Sequence, residues 1–156
     1  VVVRYADDFV VGFETQKDAK RFREELTTRL QNFGLELHPE KTRIIEFGPW
    51  AGRNRMRRGE GKPETFNFLG FTHACGRKHG NGMFTVTRLT IRQRMTRKLH
   101  ELKDELRRRM HRPVREQGEW LRAVILGYDR YYGVPGNWSA LLKFRIALGR
   151  LWYQSQ

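Results

Sequence analysis

Two hydrophobic periods divide this chain. Val1-Val2-Val3 and Phe9-Val10-Val11 are short apolar runs, mostly β-branched, separated by Arg4-Tyr5-Ala6-Asp7-Asp8. Runs of this kind read as strands buried on at least one face. They predict a β-hairpin with Ala6-Asp7-Asp8 at or near its turn. The period then lengthens: Ala19, Phe22, Leu26, Leu30 and Phe33 fall at helical spacing, with Lys20, Arg21, Arg23, Glu24, Glu25 and Arg29 between them. Thr15 with Asp18 three residues on is a predicted N-cap pair, and Gly34 a left-handed stop. The expectation is a helix over about 16–33 whose apolar stripe covers one face of the sheet. Leu35-Glu36-Leu37-His38 alternates, Pro39-Glu40 turns the chain, and Thr42 to Phe47 reads as another strand. Residues 48–64 lose all periodicity among Gly48-Pro49, Gly52, Gly59, Gly61 and Pro63, which predicts a loop.

Phe66-Asn67-Phe68-Leu69-Gly70-Phe71 places three aromatics and a leucine around a glycine, a strand turning at Gly70. His73 to Gly82 reads as a hairpin loop, and Met83 to Thr87 completes the hairpin. From about residue 90 the period becomes helical. Met95, Leu99, Leu102, Leu106 and Met110 form one apolar stripe, ended by Arg112-Pro113. A second helix runs from about Arg115 or Glu116 to Tyr132, with Leu121, Ile125, Tyr128 and Tyr132 along one side. Gly133-Val134-Pro135-Gly136 stops it. Asn137 is the expected cap of a third helix, with Leu141, Phe144, Leu148, Leu151 and Trp152 inward. Three amphipathic helices on short turns make a small bundle. The fold class is therefore α+β, an antiparallel sheet with a covering helix over 1–88 and a helical bundle over 89–156. No internal repeat is visible.

Charge changes the picture more than composition does. Lys and Arg number 31 against 17 Asp and Glu, a net charge of +14 and a pI near 10.7. A field of that sign attracts polyanions, nucleic acid first among them. No apolar run approaches the roughly 20 residues of a membrane span, and no signal-peptide pattern opens the chain. A single cysteine, Cys75, excludes an internal disulfide framework, suits a reducing cytoplasm, and reads as a small apolar filler. The chain opens without Met, directly inside a strand, and closes on Trp152-Tyr153-Gln154-Ser155-Gln156. The expectation is a piece of a longer protein.

The candidate chemistry lies in the first turn. Aspartate is depleted in strands and is almost never fully buried unless paired or bound to metal. Asp7 beside Asp8, between two apolar runs, needs a counter-charge, and a hard divalent cation takes carboxylate oxygens together with substrate phosphates. The bland alternative is an Asp-rich turn, since Asp is a common turn residue. For Lys41 the bland reading is a solvated turn lysine.

Tyr5-Ala6-Asp7-Asp8 within hydrophobic flanks resembles the catalytic hairpin of reverse transcriptases. Gly34 to Thr42 resembles that family's next block, and Phe68-Leu69-Gly70-Phe71 resembles its primer grip. Gly127-Tyr128-Asp129-Arg130-Tyr131-Tyr132-Gly133-Val134-Pro135-Gly136-Asn137-Trp138 through Trp152-Tyr153 resembles the maturase-specific domain of group II intron reverse transcriptases, which doubles as the thumb. The resemblance implies the C-terminal part of a polymerase palm over 1–88 and a thumb over 89–156. It implies two-metal nucleotidyl transfer with Mg²⁺, or Mn²⁺ in its place, held by Asp7 and Asp8. Tyr5, Ala6 and Lys41 would face the deoxynucleoside triphosphate, and Phe68, Leu69, Gly70 and Phe71 the primer end. Arg92, Arg94, Arg97, Lys98, Arg107 and Arg108 would meet nucleic acid. The implied partners are intron RNA and a DNA or RNA primer-template in a bacterial-type cytoplasm, with no membrane.

The pattern departs from the family in one respect. A third palm carboxylate and the fingers have no counterpart here, so the fragment alone is expected not to polymerise and to self-associate through Val1-Val2-Val3. The competing readings are a non-catalytic basic RNA-binding module, a basic domain for a protein partner, and a retron or CRISPR-associated polymerase sharing the palm.

Overall fold

In the computed structural model, which describes residues 1–155, Val2–Tyr5 (β1) and Asp8–Val11 (β2) form an antiparallel ribbon. Its register pairs Val2 with Val11 and Tyr5 with Asp8, leaving Ala6-Asp7 as a two-residue turn. Val1 and Gly12 extend the ladder: the Gly12 amide donates to the Val1 carbonyl over 2.7 Å. The expected burial of this ribbon is not found. All four β1 residues are exposed, Val2 to 67 %, and only Val10 and Val11 are half-buried. A two-stranded ribbon has no second layer to bury a face against unless other elements supply one.

Gln16–Gln31 (α1) begins as expected. The Thr15 hydroxyl accepts from the Asp18 amide over 3.2 Å and donates to the Asp18 carboxylate over 2.6 Å. It ends on Gly34, at φ 68°, with the Gly34 amide bonded to the Gln31 carbonyl and the Leu35 amide to the Leu30 carbonyl, the paired bonds of a Schellman motif. Its stripe does not make a core, however. Ala19, Phe22, Leu26 and Leu30 are half-buried, Phe33 is exposed, and the ring of Phe22 meets Phe13 at 5.2 Å.

Two expectations for 35–64 are corrected. Leu35–His38 and Thr42–Phe47 form no strands, because neither segment finds a ladder partner. The Lys41 and Thr42 amides both bond to the His38 carbonyl, which turns the chain back on itself. The expected loop contains a helix, Ala51–Arg57 (α2). The glycines and prolines on either side hide it from pattern reading, while its own arginines and methionine are good helix formers. Ala51 is buried, Asn54 donates to Glu46 over 2.9 Å, and Arg55 and Arg58 pair with Glu60, Glu64 and Glu46.

The chain divides into two packed units, Val1–Thr65 and one that starts at Phe66. In the second, Phe66–Phe68 (β3), Phe71–Arg77 (β4) and Phe84–Thr90 (β5) form an antiparallel meander in that order. The hairpin loop expected over 73–82 is shorter, because His73 to Arg77 pair with Phe84 to Arg88 and only 78–83 connect. Phe66 stacks on His73, its cross-strand partner, at 4.8 Å.

Arg92–Arg109 (α3), Val114–Tyr132 (α4) and Trp138–Gln154 (α5) follow. The change from sheet to helix thus falls between Thr90 and Arg92, near the expected 88/89, whereas the division by packing falls at 65/66. Leu102, Leu106, Leu121, Tyr128, Leu141, Phe144 and Leu148 form the core, with Tyr128 stacked on Phe144 at 3.6 Å. Asn137 precedes α5 but makes no side-chain cap. Fully buried, it instead accepts from the Thr90 amide over 3.0 Å and donates to the Thr90 hydroxyl and the Tyr132 carbonyl, each over 2.8 Å. One amide side chain thereby ties the end of β5 to the end of α4.

Candidate catalytic hairpin and nucleic-acid faces

The first turn is tighter than its residues prefer. Ala6 has φ 53°, and Asp7 is not among the residues with positive φ. Positive then negative φ is the sign pattern of a type II′ turn, whose first central position ordinarily takes glycine. An alanine there costs about 1 kcal/mol. The surrounding chain holds it: the Arg4 Nε donates to the Ala6 carbonyl over 2.8 Å, and the Tyr5–Asp8 pair closes the ladder. Arg4 thus braces the turn, a contact that the sequence pattern does not single out.

Asp7 and Asp8 are exposed, and among the described residues neither carboxylate makes a hydrogen bond or ion pair. Two adjacent carboxylates with free oxygens are a hard-oxygen donor set that fits a divalent cation sharing its remaining positions with phosphate and water. No group of three metal-capable side chains occurs among the described residues, so the pair stands without a third carboxylate. Tyr5, paired with Asp8, is 64 % exposed and leaves its ring on the surface beside the pair. Lys41 is exposed in its turn, in the same unit, and no bond joins it to the aspartates.

The second turn repeats the signature. Leu69 has φ 47° and Gly70 φ 81°, both positive as a type I′ hairpin requires. Ala6 and Leu69 are the only non-glycine residues with positive φ among those described. Both sit at the tips of the hairpins that carry the candidate motifs. The Leu69–Gly70 tip is clamped. Tyr131 donates its hydroxyl to the Leu69 carbonyl over 3.1 Å, and a Cβ on Gly70 would lie 3.3 Å from Arg94 Nη1 and 3.4 Å from the Tyr131 and Tyr132 side chains. Gly70 therefore answers both to its dihedral and to its neighbours. Phe71 is buried, with its ring parallel to Tyr131 at 6.1 Å and edge-on to Tyr132 at 5.4 Å, while Phe68 is half-buried. Burial pushes the Tyr132 phenol above its ordinary range, so it meets Arg94 as a neutral hydroxyl. Tyr131 was missed by pattern reading, because one aromatic in a Tyr-Tyr pair reads as core.

The six α3 cations expected to meet nucleic acid, Arg92, Arg94, Arg97, Lys98, Arg107 and Arg108, are all exposed but not equivalent. Lys98 pairs with Glu101, Arg107 with Asp104 and Arg108 with Glu105. Arg94 stands against the hairpin tip, and Arg92 and Arg97 make no ion pair among the described residues. The basic surface of this helix is therefore strongest in its first turns.

Residues 1–73 match the family model for reverse transcriptase (RNA-dependent DNA polymerase). No curated protein and no solved structure gives a significant match. The reverse transcriptase match takes in the Tyr5–Asp8 turn, Lys41 and the whole Phe68–Phe71 turn, and it ends inside β4. It crosses from the first packed unit into the second, and α3, α4 and α5 lie outside it. Among the described residues, no helix is long and apolar enough to cross a membrane.

Proposed function

We propose that this chain is part of an RNA-directed DNA polymerase of the group II intron type, palm followed by thumb, that also binds intron RNA and assists its splicing. One observation carries the reading: strained turns at Ala6 and Leu69 fall in the two motifs inside the reverse transcriptase match. Backbone strain persists where surrounding structure over-determines it, and it clusters at active sites and ligand clamps.

In this reading Asp7 and Asp8 would hold Mg²⁺, or Mn²⁺ in its place, which would supply positive charge beside the incoming deoxynucleoside triphosphate. Arg4 keeps the turn in the conformation that leaves both carboxylates unpaired. Tyr5 and Ala6 form the nucleotide-side surface, and Lys41 is a further cation for the leaving pyrophosphate. The clamped Leu69–Gly70 tip positions the primer end, with Phe68 and Phe71 fixing it from beneath. Arg92, Arg94, Arg97, Lys98, Arg107 and Arg108 contact phosphates of RNA or of the primer-template. The third carboxylate and the surface that closes over the nucleotide come from outside these residues, so the chain by itself does not extend a primer. The working compartment is the cytoplasm of a bacterial-type host.

A complete polymerase carrying Asp7→Asn tests this. Synthesis is expected to be lost while intron RNA binding, and its steep decline with salt, is kept. Unchanged synthesis would leave the second reading, a non-catalytic RNA-binding module, which the exposed unpaired arginines of α3 favour.

A further inference from the structure

α2, which lies in the segment that sequence pattern predicts as a loop, has two unlike faces. On one, Ala51 is buried, a Cβ on Gly52 would lie 3.6 Å from the Pro63 ring, and Asn54, Arg55 and Arg58 engage Glu46, Glu60 and Glu64. These are all the carboxylates between residues 46 and 64. On the other, Arg53 and Arg57 are exposed and make no ion pair or hydrogen bond among the described residues. Trp50, with helical dihedrals at the start of α2, is 64 % exposed. At roughly 100° per residue, positions 50, 53 and 57 lie within about 60° of arc. The acids of the segment fix the helix in place, and the opposite face presents an indole flanked by two uncompensated guanidinium groups.

We propose that the Trp50–Arg53–Arg57 face binds a single-stranded segment of nucleic acid, with the arginines on phosphates and the indole stacked on a base. Charge complementarity calls for a polyanion, and the exposed indole selects one with a π-face to offer. An acidic protein segment supplies carboxylates without that face. The proposal rests on the reading of the chain as one that handles nucleic acid, and it assigns a surface which that reading leaves unused.

The test uses the whole chain and fluorescence anisotropy of labelled oligo-uridine and oligo-deoxythymidine over a salt series, with poly-glutamate as competitor. Trp50→Ala is expected to weaken binding about fivefold. The double variant Arg53→Gln, Arg57→Gln is expected to lower the log-log salt slope by about 1.4, two phosphates at about 0.7 each. Arg53→Lys with Arg57→Lys retains the slope, which separates charge from misfolding. Equal effects on both oligonucleotides assign the shared phosphate-and-base chemistry, whereas an effect on the RNA alone assigns the 2′-hydroxyl strand. Variants that bind as the parent chain does, with its salt dependence intact, overturn this face and leave the nucleic-acid reading standing. A parent chain that binds neither oligonucleotide overturns both. A Trp50→Ala chain that binds normally while the slope falls removes the stacking and with it the single-strand assignment. Displacement by poly-glutamate that is as sensitive to Trp50→Ala as oligonucleotide binding transfers the face to an acidic protein.

Discussion

The hydroxyl of Tyr131 donates to the backbone carbonyl of Leu69 across 3.1 Å and 62 residues of chain, binding the end of α4 to the tip of the β3–β4 hairpin. Its removal is a small change with a local readout. Tyr131→Phe keeps the ring parallel to Phe71 and deletes only the bond, so the expected stability cost is about 1 kcal/mol. Amide exchange at Leu69, Gly70 and Phe71 should speed up more than in the core of α5. An unchanged exchange rate at the tip would mean that Phe71 packing alone holds the turn.

Leu69→Asn should act in the opposite sense on stability. Asparagine tolerates the left-handed region that Leu69 occupies at φ 47°, and the leucine is 38 % exposed, so little burial is lost. A gain of about 1 kcal/mol corresponds to a rise in Tm of about 4–8 °C for a unit of this size. In a complete polymerase the same change should lower primer extension, if the apolar side chain is what meets the primer end. A lowered Tm would show that the leucine packs better than its exposure indicates.

What could be read in the sequence, and what could not, follows from how local each signal is. The Ala6-Asp7 turn, the Thr15 cap, the Gly34 stop and the stripe from Met95 to Leu106 are set by residues within a few positions, and each is found in the structure. Asn137 was legible as a residue at a helix start but not in its role. Its partners, Thr90 and Tyr132, are chosen by tertiary packing, which no spacing rule reports. The strands expected at 35–38 and 42–47 failed for the same reason, since alternation creates a face but not a neighbour to pair with. The strain at Ala6 and Leu69 is likewise invisible in composition, because the chain placed ordinary residues where glycine is easier.

Asn137→Ala should be among the most damaging single changes outside the apolar core. It orphans the Thr90 amide in a site where Asn137 itself has no exposed surface, and it leaves the Tyr132 carbonyl with the Val134 amide as its one donor. A buried polar group left without a partner costs about 1–3 kcal/mol, so the orphaned amide and the lost bond to the Tyr132 carbonyl predict a loss of about 2 kcal/mol by chemical denaturation. Asn137→Asp should not rescue it, because a carboxylate has no N–H to give to the Tyr132 carbonyl. A loss under 1 kcal/mol for the alanine variant would mean that water takes over the Thr90 amide.

The core makes a complementary prediction through shape. Phe144 is fully buried, with its ring face-on to Tyr128 at 3.6 Å. Phe144→Ala should cost about 3–5 kcal/mol, and Phe144→Leu should recover most of that loss. Burial also pushes the Tyr128 phenol up to about 12. A phenol raised in the folded state favours folding fully below its unfolded value near 10 and ceases to as pH rises through about 12. The bundle should therefore begin to lose stability above about pH 10, and Tyr128→Phe should remove that part of the alkaline decline.

The attachment of α2 should fail at the other end of the scale. The hydrogen bond from Arg58, followed by that from Asn54, holds the Glu46 carboxyl below the ordinary range, and the bond from Arg58 does the same for Glu60. A carboxylate depressed in the folded state contributes above its unfolded value near 4.5, and its contribution is lost as pH falls through the lower folded value. Amide exchange at Asn54 and Arg55 should therefore be flat from pH 8 to 5, after correction for intrinsic rates, and rise below about 4.5. Both carboxylates are surface groups, so added salt should weaken the effect. In Arg58→Gln both carboxylates lose their strongest partner, and the acid transition should move up toward 4.5. An α2 whose protection ignores pH in both forms would owe its place to Ala51 and the Gly52–Pro63 contact rather than to charge.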